Sequence, residues 1–177
     1  MKNLPIAISK IARDAVMAAL ALAAAANAQQ TVPPSGTHTF TADTIYDPVE
    51  RQATTAPLVY YIEDDRTVTF QNASSSAGSG GVFYANNANH SITIAPSGTL
   101  GTGRVVLKKN SSTAEGGVFY NAGPLSVTNA DFIENAGSNG GVLRNTSASG
   151  PIEFTQARFE GNHAANGGVF ASYGNIT

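Results

Sequence analysis

The stretch that decides the fold of this chain is GGVFYNAGPLSVTNADFIENAGSNGGVL, residues 116–143. It begins with a glycine pair and a short apolar run, and it ends on the next copy of the same motif. The complete set of glycine pairs is Gly80-Gly81, Gly116-Gly117, Gly140-Gly141 and Gly167-Gly168. Their spacings are 36, 24 and 27 residues, and periods of roughly 20 to 50 residues are typical of repeat architectures.

Between the glycine pairs, apolar and polar residues alternate. The alternating segments are Ile92-Thr93-Ile94, Leu125-Ser126-Val127 and Ile152-Glu153-Phe154. Each repeat also carries an apolar residue followed three positions later by asparagine. These residue pairs are Leu107 and Asn110, Phe132 and Asn135, and Phe159 and Asn162. A period of two is that of a β-strand with one buried face, so each repeat is predicted to supply three short strands separated by turns.

The expected fold is all-β, a right-handed parallel β-helix (a solenoid) with about four coils. The repeats occupy residues 58–177, and the chain stops as a coil begins. Helical repeats are excluded because no 3.6-residue periodicity follows residue 28. The spacing of 36 residues is explained by an insertion, roughly Ala95 to Gly103, and insertions in solenoids fall on one face that is often the binding face.

Residues 29–57 are predicted to form a low-complexity N-terminal cap. Prolines at 33, 34, 48 and 57 interrupt regular ladders there, and a short capping strand is expected at Thr37–Phe40. Strands are then expected at Leu58–Ile62 and Thr67–Phe70, around the acidic turn Glu63–Asp65.

The repeated positions have structural and functional interpretations. Stacked asparagines at 110, 135 and 162 are expected to form a ladder of amide hydrogen bonds; a row that binds sugar hydroxyls is the alternative. The glycine pairs are expected at sharp bends or close backbone approaches, and a phosphate-binding loop is disfavoured because no helix follows them. The phenylalanine and leucine columns are expected inside the coil, although an outward aromatic ladder would form a sugar platform.

One column and two charge pairs are predicted to lie on the outer surface. The column is Tyr84, Tyr120, Arg144 and Ala171, whose identities vary. Aligning Phe132 with Phe159 sets Asp131 beside Arg158, and aligning Leu107 with Phe132 sets Lys109 beside Glu134. Opposite charges on adjacent strands help to fix the register.

Residues 1–28 are predicted to be a secretory signal peptide, cleaved near Ala28-Gln29. Its features are the basic residues Lys2, Lys10 and Arg13, the apolar run Ala15 to Ala25, and the cleavage pattern Ala26-Asn27-Ala28. The run is too short to span a bilayer, which takes about 20 residues. An ordinary N-terminal helix is the alternative interpretation.

The composition limits the partners and the chemistry. Only 12% of residues are charged and cysteine is absent, so no disulfide holds the fold of an exported chain. Beyond residue 28 there are seven basic and eleven acidic residues, a formal charge near −4. Nucleic-acid binding is excluded because it needs clustered basic residues, and Lys108-Lys109 is the only adjacent basic pair.

Residues 68–177 resemble the polymorphic outer membrane protein repeat family, first associated with chlamydial surface proteins. The family signature combines Gly-Gly-Ala-aliphatic with Phe-x-x-Asn. The second motif is complete at Phe132–Asn135 and Phe159–Asn162, altered at Leu107–Asn110, and one residue short at Phe70–Asn72. The first motif keeps both glycines but has valine in place of alanine.

The resemblance implies an autotransporter-like surface protein. In such proteins a signal peptide leads to the periplasm, a β-helical passenger is displayed, and a C-terminal outer-membrane barrel translocates it. The 177 residues lack that barrel, so we expect a fragment, the front piece of a longer protein of the cell outer membrane and envelope. The implied role is that of a non-catalytic, adhesin-like passenger that contacts a host or neighbouring cell-surface protein or glycan.

Two alternatives remain open at this stage: a truncated product with no function of its own, and a carbohydrate-active β-helix enzyme, a polysaccharide lyase or glycosidase. Such an enzyme needs clustered acids for metal binding or for acid–base chemistry. The candidates are Asp131, Glu134, Glu153 and Glu160, with the histidines His90 and His163 in different repeat slots. Because these residues share no aligned column, we predict no catalytic, cofactor-binding or metal-binding site.

Overall fold

The structure is a computed structural model that describes residues 31–76, 78–147 and 150–177. The predicted signal peptide and its cleavage site lie outside the described residues. None of the described residues belongs to a helix long and apolar enough to cross a membrane. The strands are β1 (Gly36–Phe40), β2 (Thr44–Tyr46), β3 (Gln52–Ala53), β4 (Leu58–Ile62), β5 (Thr67–Gln71), β6 (Ser74–Ser75), β7 (Phe83–Ala85), β8 (Ile92–Pro96), β9 (Arg104–Lys108), β10 (Ser111–Ser112), β11 (Phe119–Asn121), β12 (Leu125–Ile133), β13 (Ala136–Asn139), β14 (Leu143–Asn145), β15 (Ile152–Glu160), β16 (His163–Asn166) and β17 (Phe170–Ser172).

These strands form three sheets. The first sheet has the order β1-β4-β8-β12-β9-β5-β2, with β15 paired to β12; the second is β16-β13-β10-β6, and the third is β17-β14-β11-β7-β3. All pairings between these strands are parallel. The prediction of an all-β chain built from parallel strands is therefore confirmed.

The register of the sheets follows the sequence repeats. Leu125 lies opposite Ile92 on one side and Ile152 on the other. Phe132 lies opposite Leu107 and Phe159. The alignment anchored on the glycine pairs was therefore correct, because a slip of one residue would have turned every apolar side chain to the opposite face.

The apolar side chains of the sheets pack into one core. Phe83, Phe119 and Leu143 of the third sheet are fully buried, as are Leu107 and Phe132 of the first. The rings of Phe83 and Phe119 stack with their centroids 5.1 Å apart. Burial of each such side chain contributes about 1.5–3 kcal/mol, so the predicted inner columns form the interior.

Both predicted uses of glycine occur, one at each member of a pair. The first glycine has positive φ, as at Gly116 (66°) and Gly140 (71°). The second lies under a neighbouring backbone: a Cβ on Gly117 would lie 2.1 Å from the Gly141 carbonyl oxygen. The first three pairs therefore turn the chain and let adjacent repeats approach closely, whereas a Cβ on Gly168 of the fourth pair would meet nothing within 4 Å.

Residues 31–57 contribute more strands than the sequence predicted. The expected capping strand is present as β1, which pairs with β4. However, β2 and β3 also pair in parallel, with β5 and β7. Tyr46 of β2 stacks on Phe70 with centroids 5.3 Å apart, so this segment covers the core at its first row despite its prolines.

Candidate functional site

The aligned asparagines form a buried hydrogen-bonded ladder. Asn110 Nδ2 donates to Asn135 Oδ1 at 3.1 Å, and Asn135 Nδ2 donates to Asn162 Oδ1 at 2.9 Å. Each amide also donates to a backbone carbonyl of the preceding row; the acceptor for Asn135 is Leu107 at 2.8 Å. Since Asn110 and Asn135 are fully buried, the amides of these two residues are structural and cannot bind sugar hydroxyls.

The shortened Phe70–Asn72 motif contributes no rung to the asparagine ladder. Because Phe70 pairs with Leu107, Ala73 takes the slot below Asn110, and its N–H donates to Asn110 Oδ1 at 3.0 Å. Asn72 instead lies at the preceding corner with a φ of 57°, matching Lys109 at 55°. Asparagine tolerates this left-handed conformation better than most residues do.

Three of the four candidate acids are paired with cationic side chains. Arg104 binds Asp131 with two nitrogens, Nε to Oδ2 at 2.7 Å and Nη2 to Oδ1 at 2.5 Å, and the Arg104 pKa is raised chiefly by that hydrogen bonding. Glu134 pairs with Lys109 at 3.8 Å, as predicted, and Glu160 pairs with Arg158. The carboxylates on these strands thus serve as partners of cations.

Asp131 and Arg158 are register partners, as the alignment predicted, but the ion pair expected between them does not form. Arg104 reaches Asp131 from the preceding strand β9, and its Nη1 also donates to Asn129 Oδ1 at 2.9 Å. The planar guanidinium matches both acceptors. Arg158 is left to pair with Glu160 on its own strand.

The remaining candidates occupy different strands or loops. Glu153 is a register partner of Ser126, and His163 of Ala136. His90 lies in a corner loop, with its Nδ1 2.9 Å from the Thr54 carbonyl oxygen. Across the part of the chain that the structure describes, no group of three or more histidine, aspartate or glutamate residues is placed to hold a metal ion.

The outer side of the third sheet carries a row of aromatic and guanidinium groups. Tyr84 and Tyr120 are register partners, and their rings stack 5.0 Å apart at an interplanar angle of 20°. The Arg51 guanidinium lies 5.2 Å from the Tyr84 centroid, and that of Arg144 lies 4.7 Å from the Tyr173 centroid. These five residues are called the tyrosine–arginine face.

The tyrosine–arginine face lies on the outer side of the sheet, as predicted for its column, but its members differ in exposure. Tyr173 is 70% exposed, whereas the Arg144 side chain is only 18% exposed. Arg144 Nε lies 3.6 Å from Glu115 Oε1, and Asn139 Nδ2 donates to the same oxygen at 3.1 Å. Stacking and these polar contacts hold the long side chains in fixed positions, which lowers the entropic cost of binding a partner.

A cleft of about 330 Å³ adjoins the Tyr84 end of this face. It is called the His90 cleft, and its lining residues are Ala53, Thr54, Thr55, Tyr84, Asn86, Asn87 and His90. The cleft arises from loop length: seven residues separate Tyr84 from Ile92, but only four separate Tyr120 from Leu125. Sequence reasoning missed this cleft, and the difference in spacing was the available signal.

The predicted insertion is held by the acidic turn. Asp64 accepts hydrogen bonds from the backbone N–H groups of Leu100 at 2.9 Å and Thr102 at 3.0 Å. The Leu100 N–H is the main cause of a lowered Asp64 pKa, with Thr102 adding to it. Leu100 itself is 72% exposed at the tip, so the insertion presents an apolar side chain on a tethered loop.

No protein-family model, no curated protein and no solved structure matches this chain.

Proposed function

We propose that the three parallel sheets are the faces of one right-handed parallel β-helix of about four coils. Support comes from the pairing pattern, in which each strand pairs with its counterpart one repeat away rather than with its neighbour along the chain. Parallel strands need crossover connections, and these are right-handed in the great majority of proteins. The asparagine ladder and the glycine corners fit this arrangement.

The chain is further proposed to be an exported, non-catalytic, adhesin-like passenger of the cell surface, related to the polymorphic outer membrane protein repeats. The observation that carries this proposal is the tyrosine–arginine face. Tyrosine and arginine are among the residue types enriched at binding hot spots, and here they are held in place on a regular sheet. The partner is a host or neighbouring cell-surface protein or glycan.

Adherence is tested with beads coated with the purified chain, in parallel with the variants Tyr120→Ala and Tyr61→Ala. Tyr61 is the matched control because it is a partly exposed tyrosine on the first sheet. Coated beads are expected to adhere to cultured cells, and Tyr120→Ala to lower adherence about fivefold while Tyr61→Ala leaves it unchanged. Thermal unfolding verifies that both variants fold. Adherence no greater than that of uncoated beads would refute the adhesin proposal.

Export is tested separately by expressing the chain with its residues 1–28 and sequencing the N-terminus of the exported product. The proposal expects a product that begins at Gln29, because the Ala26-Asn27-Ala28 pattern precedes it. A chain that stays in the cytoplasm with its first residues intact would contradict the proposed localisation.

A further inference from the structure

We propose that the His90 cleft is a binding site for one unit of a neutral saccharide. This inference deepens the adhesin proposal and rests on it for its biological meaning. The volume of about 330 Å³ lies at the lower end of the roughly 300–1,000 Å³ range of small-molecule sites. The cleft therefore suits a small ligand, or the end of a chain, rather than an extended polymer.

The first polar group is a buried hydroxyl without a partner. Thr54 is 5% exposed, and its Oγ1 makes no hydrogen bond among the described residues. The backbone of Thr54 is engaged on both sides, since its N–H donates to the Tyr84 carbonyl at 2.8 Å and its carbonyl faces His90 Nδ1. Unsatisfied buried hydroxyls are costly, and because less than 1 Å² of this oxygen is accessible, a ligand hydroxyl reaches it only when the cleft lining shifts on binding.

The second group is the imidazole of His90. Its Nδ1 must donate, because the Thr54 carbonyl oxygen 2.9 Å away can only accept. The neutral ring therefore presents Nε2 as an acceptor, and no protein donor to Nε2 is found in the described ranges. The Thr54 carbonyl thus fixes which ring nitrogen of His90 donates.

The third group is the amide of Asn87. Its Oδ1 accepts from the Asn89 backbone N–H at 2.9 Å, which leaves Nδ2 as a donor. The exposed Asn86 adds a second amide at the rim. Sugar hydroxyls both donate and accept, so a set of mixed amide, imidazole and hydroxyl groups matches them.

The charge of the lining selects among sugars. None of the seven lining residues is an aspartate, glutamate, lysine or arginine. The nearby Arg51 guanidinium is engaged over the Tyr84 ring and donates to the Ser79 carbonyl at 3.0 Å. An acidic sugar would find no cation in the lining to pair with, so a neutral one fits better.

The direct test is an array of neutral and acidic oligosaccharides probed with the purified whole chain, followed by calorimetric titration of the strongest neutral ligand. The variants are Thr54→Val and Asn86→Ala, with Asn89→Ala as the matched control from the same exposed loop. Thr54→Val removes the hydroxyl while keeping the shape, so folding is preserved. We expect each cleft variant to weaken binding about fivefold, as the loss of one hydrogen bond does, with no change for Asn89→Ala.

Binding of acidic saccharides alone, or neutral binding that Thr54→Val and Asn86→Ala leave intact, overturns the inference. The bead assay separates this failure from that of the adhesin proposal. If beads coated with wild-type and cleft-variant protein adhere equally well, and no neutral sugar binds, the saccharide site is refuted. The adhesin proposal then still stands. Cleft-dependent sugar binding without adherence refutes the adhesin proposal and leaves the saccharide site standing.

Discussion

The corners at Gly116–Phe119 and Gly167–Phe170 have the same sequence, GGVF, and different surroundings. In the first corner, a Cβ on Gly117 would collide with the Gly141 carbonyl oxygen, and Val118 and Phe119 are fully buried. In the second, a Cβ on Gly168 would meet nothing within 4 Å, and Phe170 is only half-buried.

This difference shows that a repeat is stabilised by the neighbouring repeat, or row, that packs over it. Phe132 is fully buried between Leu107 and Phe159, whereas Phe159 pairs only with Phe132 among the described strands. Asn135 likewise is fully buried, and Asn162 is partly exposed. Stability of such stacks is a sum of intrinsic and nearest-neighbour contributions, so matched substitutions in covered and uncovered rows measure the second contribution directly.

The largest effect is expected at the glycine corners. Gly117→Ala should lower the free energy of unfolding by about 4 kcal/mol, because two backbone carbonyls block the new methyl group. Gly168→Ala should cost about 1 kcal/mol, which is the strain of alanine at a φ of 49°. Urea unfolding followed by circular dichroism measures both variants. Equal losses of unfolding free energy would contradict the difference between the two corners.

The aromatic pair gives the next largest difference. Phe132→Ala should destabilise the chain by about 3–5 kcal/mol through the cavity it leaves in a fully packed core. Phe159→Ala should cost about half as much, since part of its ring already contacts water. The same urea titrations apply, and a loss for Phe159→Ala as great as that for Phe132→Ala would show that the last row is covered in solution.

The asparagine ladder offers a polar version of the test. Asn135→Ala should cost about 2–3 kcal/mol, because it leaves the Leu107 carbonyl and the Asn110 N–H without partners in the core. Asn162→Ala should cost about 1 kcal/mol, since water can replace part of what is lost. Amide hydrogen exchange at residues 110 and 135 reports the local effect. Faster exchange after Asn162→Ala than after Asn135→Ala would contradict the assignment of the buried rung.

The smallest difference is expected between the ion pairs. Arg104→Ala should cost about 1 kcal/mol, because it removes a two-pronged contact with an Asp131 side chain that is only 11% exposed. Arg158→Ala should change stability by less than about 0.5 kcal/mol, because Arg158 and Glu160 are both more than half exposed. Thermal unfolding at low and high salt checks this, and only the Arg104 pair should resist screening.

Most of the strand register was predictable, because period-two alternation and a recurring motif specify which residues face inward and which strands align. Ile92, Leu125 and Ile152 could be aligned from the sequence alone. Strands β2 and β3 were not predictable, since three-residue and two-residue strands beside prolines carry no periodic signal. Their partners β5 and β7 lie far along the chain.

The candidate site was predicted less well than the fold. The column of Tyr84 and Tyr120 was identified, but the stacking of Arg51 and Arg144 on aromatic rings depends on residues outside that column. The Asp131 partner was mistaken because strand alignment fixes Cα neighbours, whereas a long arginine reaches diagonally to the best acceptors. The His90 cleft was not predicted because it forms only where a longer loop meets the end of β3 at one corner.

The sequence by itself determined the repeat, the inward and outward faces, and the asparagine ladder, since these follow from local periodicity. Only the tertiary structure decided which identical residues are covered, which charges pair, and where a cleft opens. Those features depend on the two neighbouring repeats and on the length of the corner loop between them. The sequence of a single repeat does not contain this information.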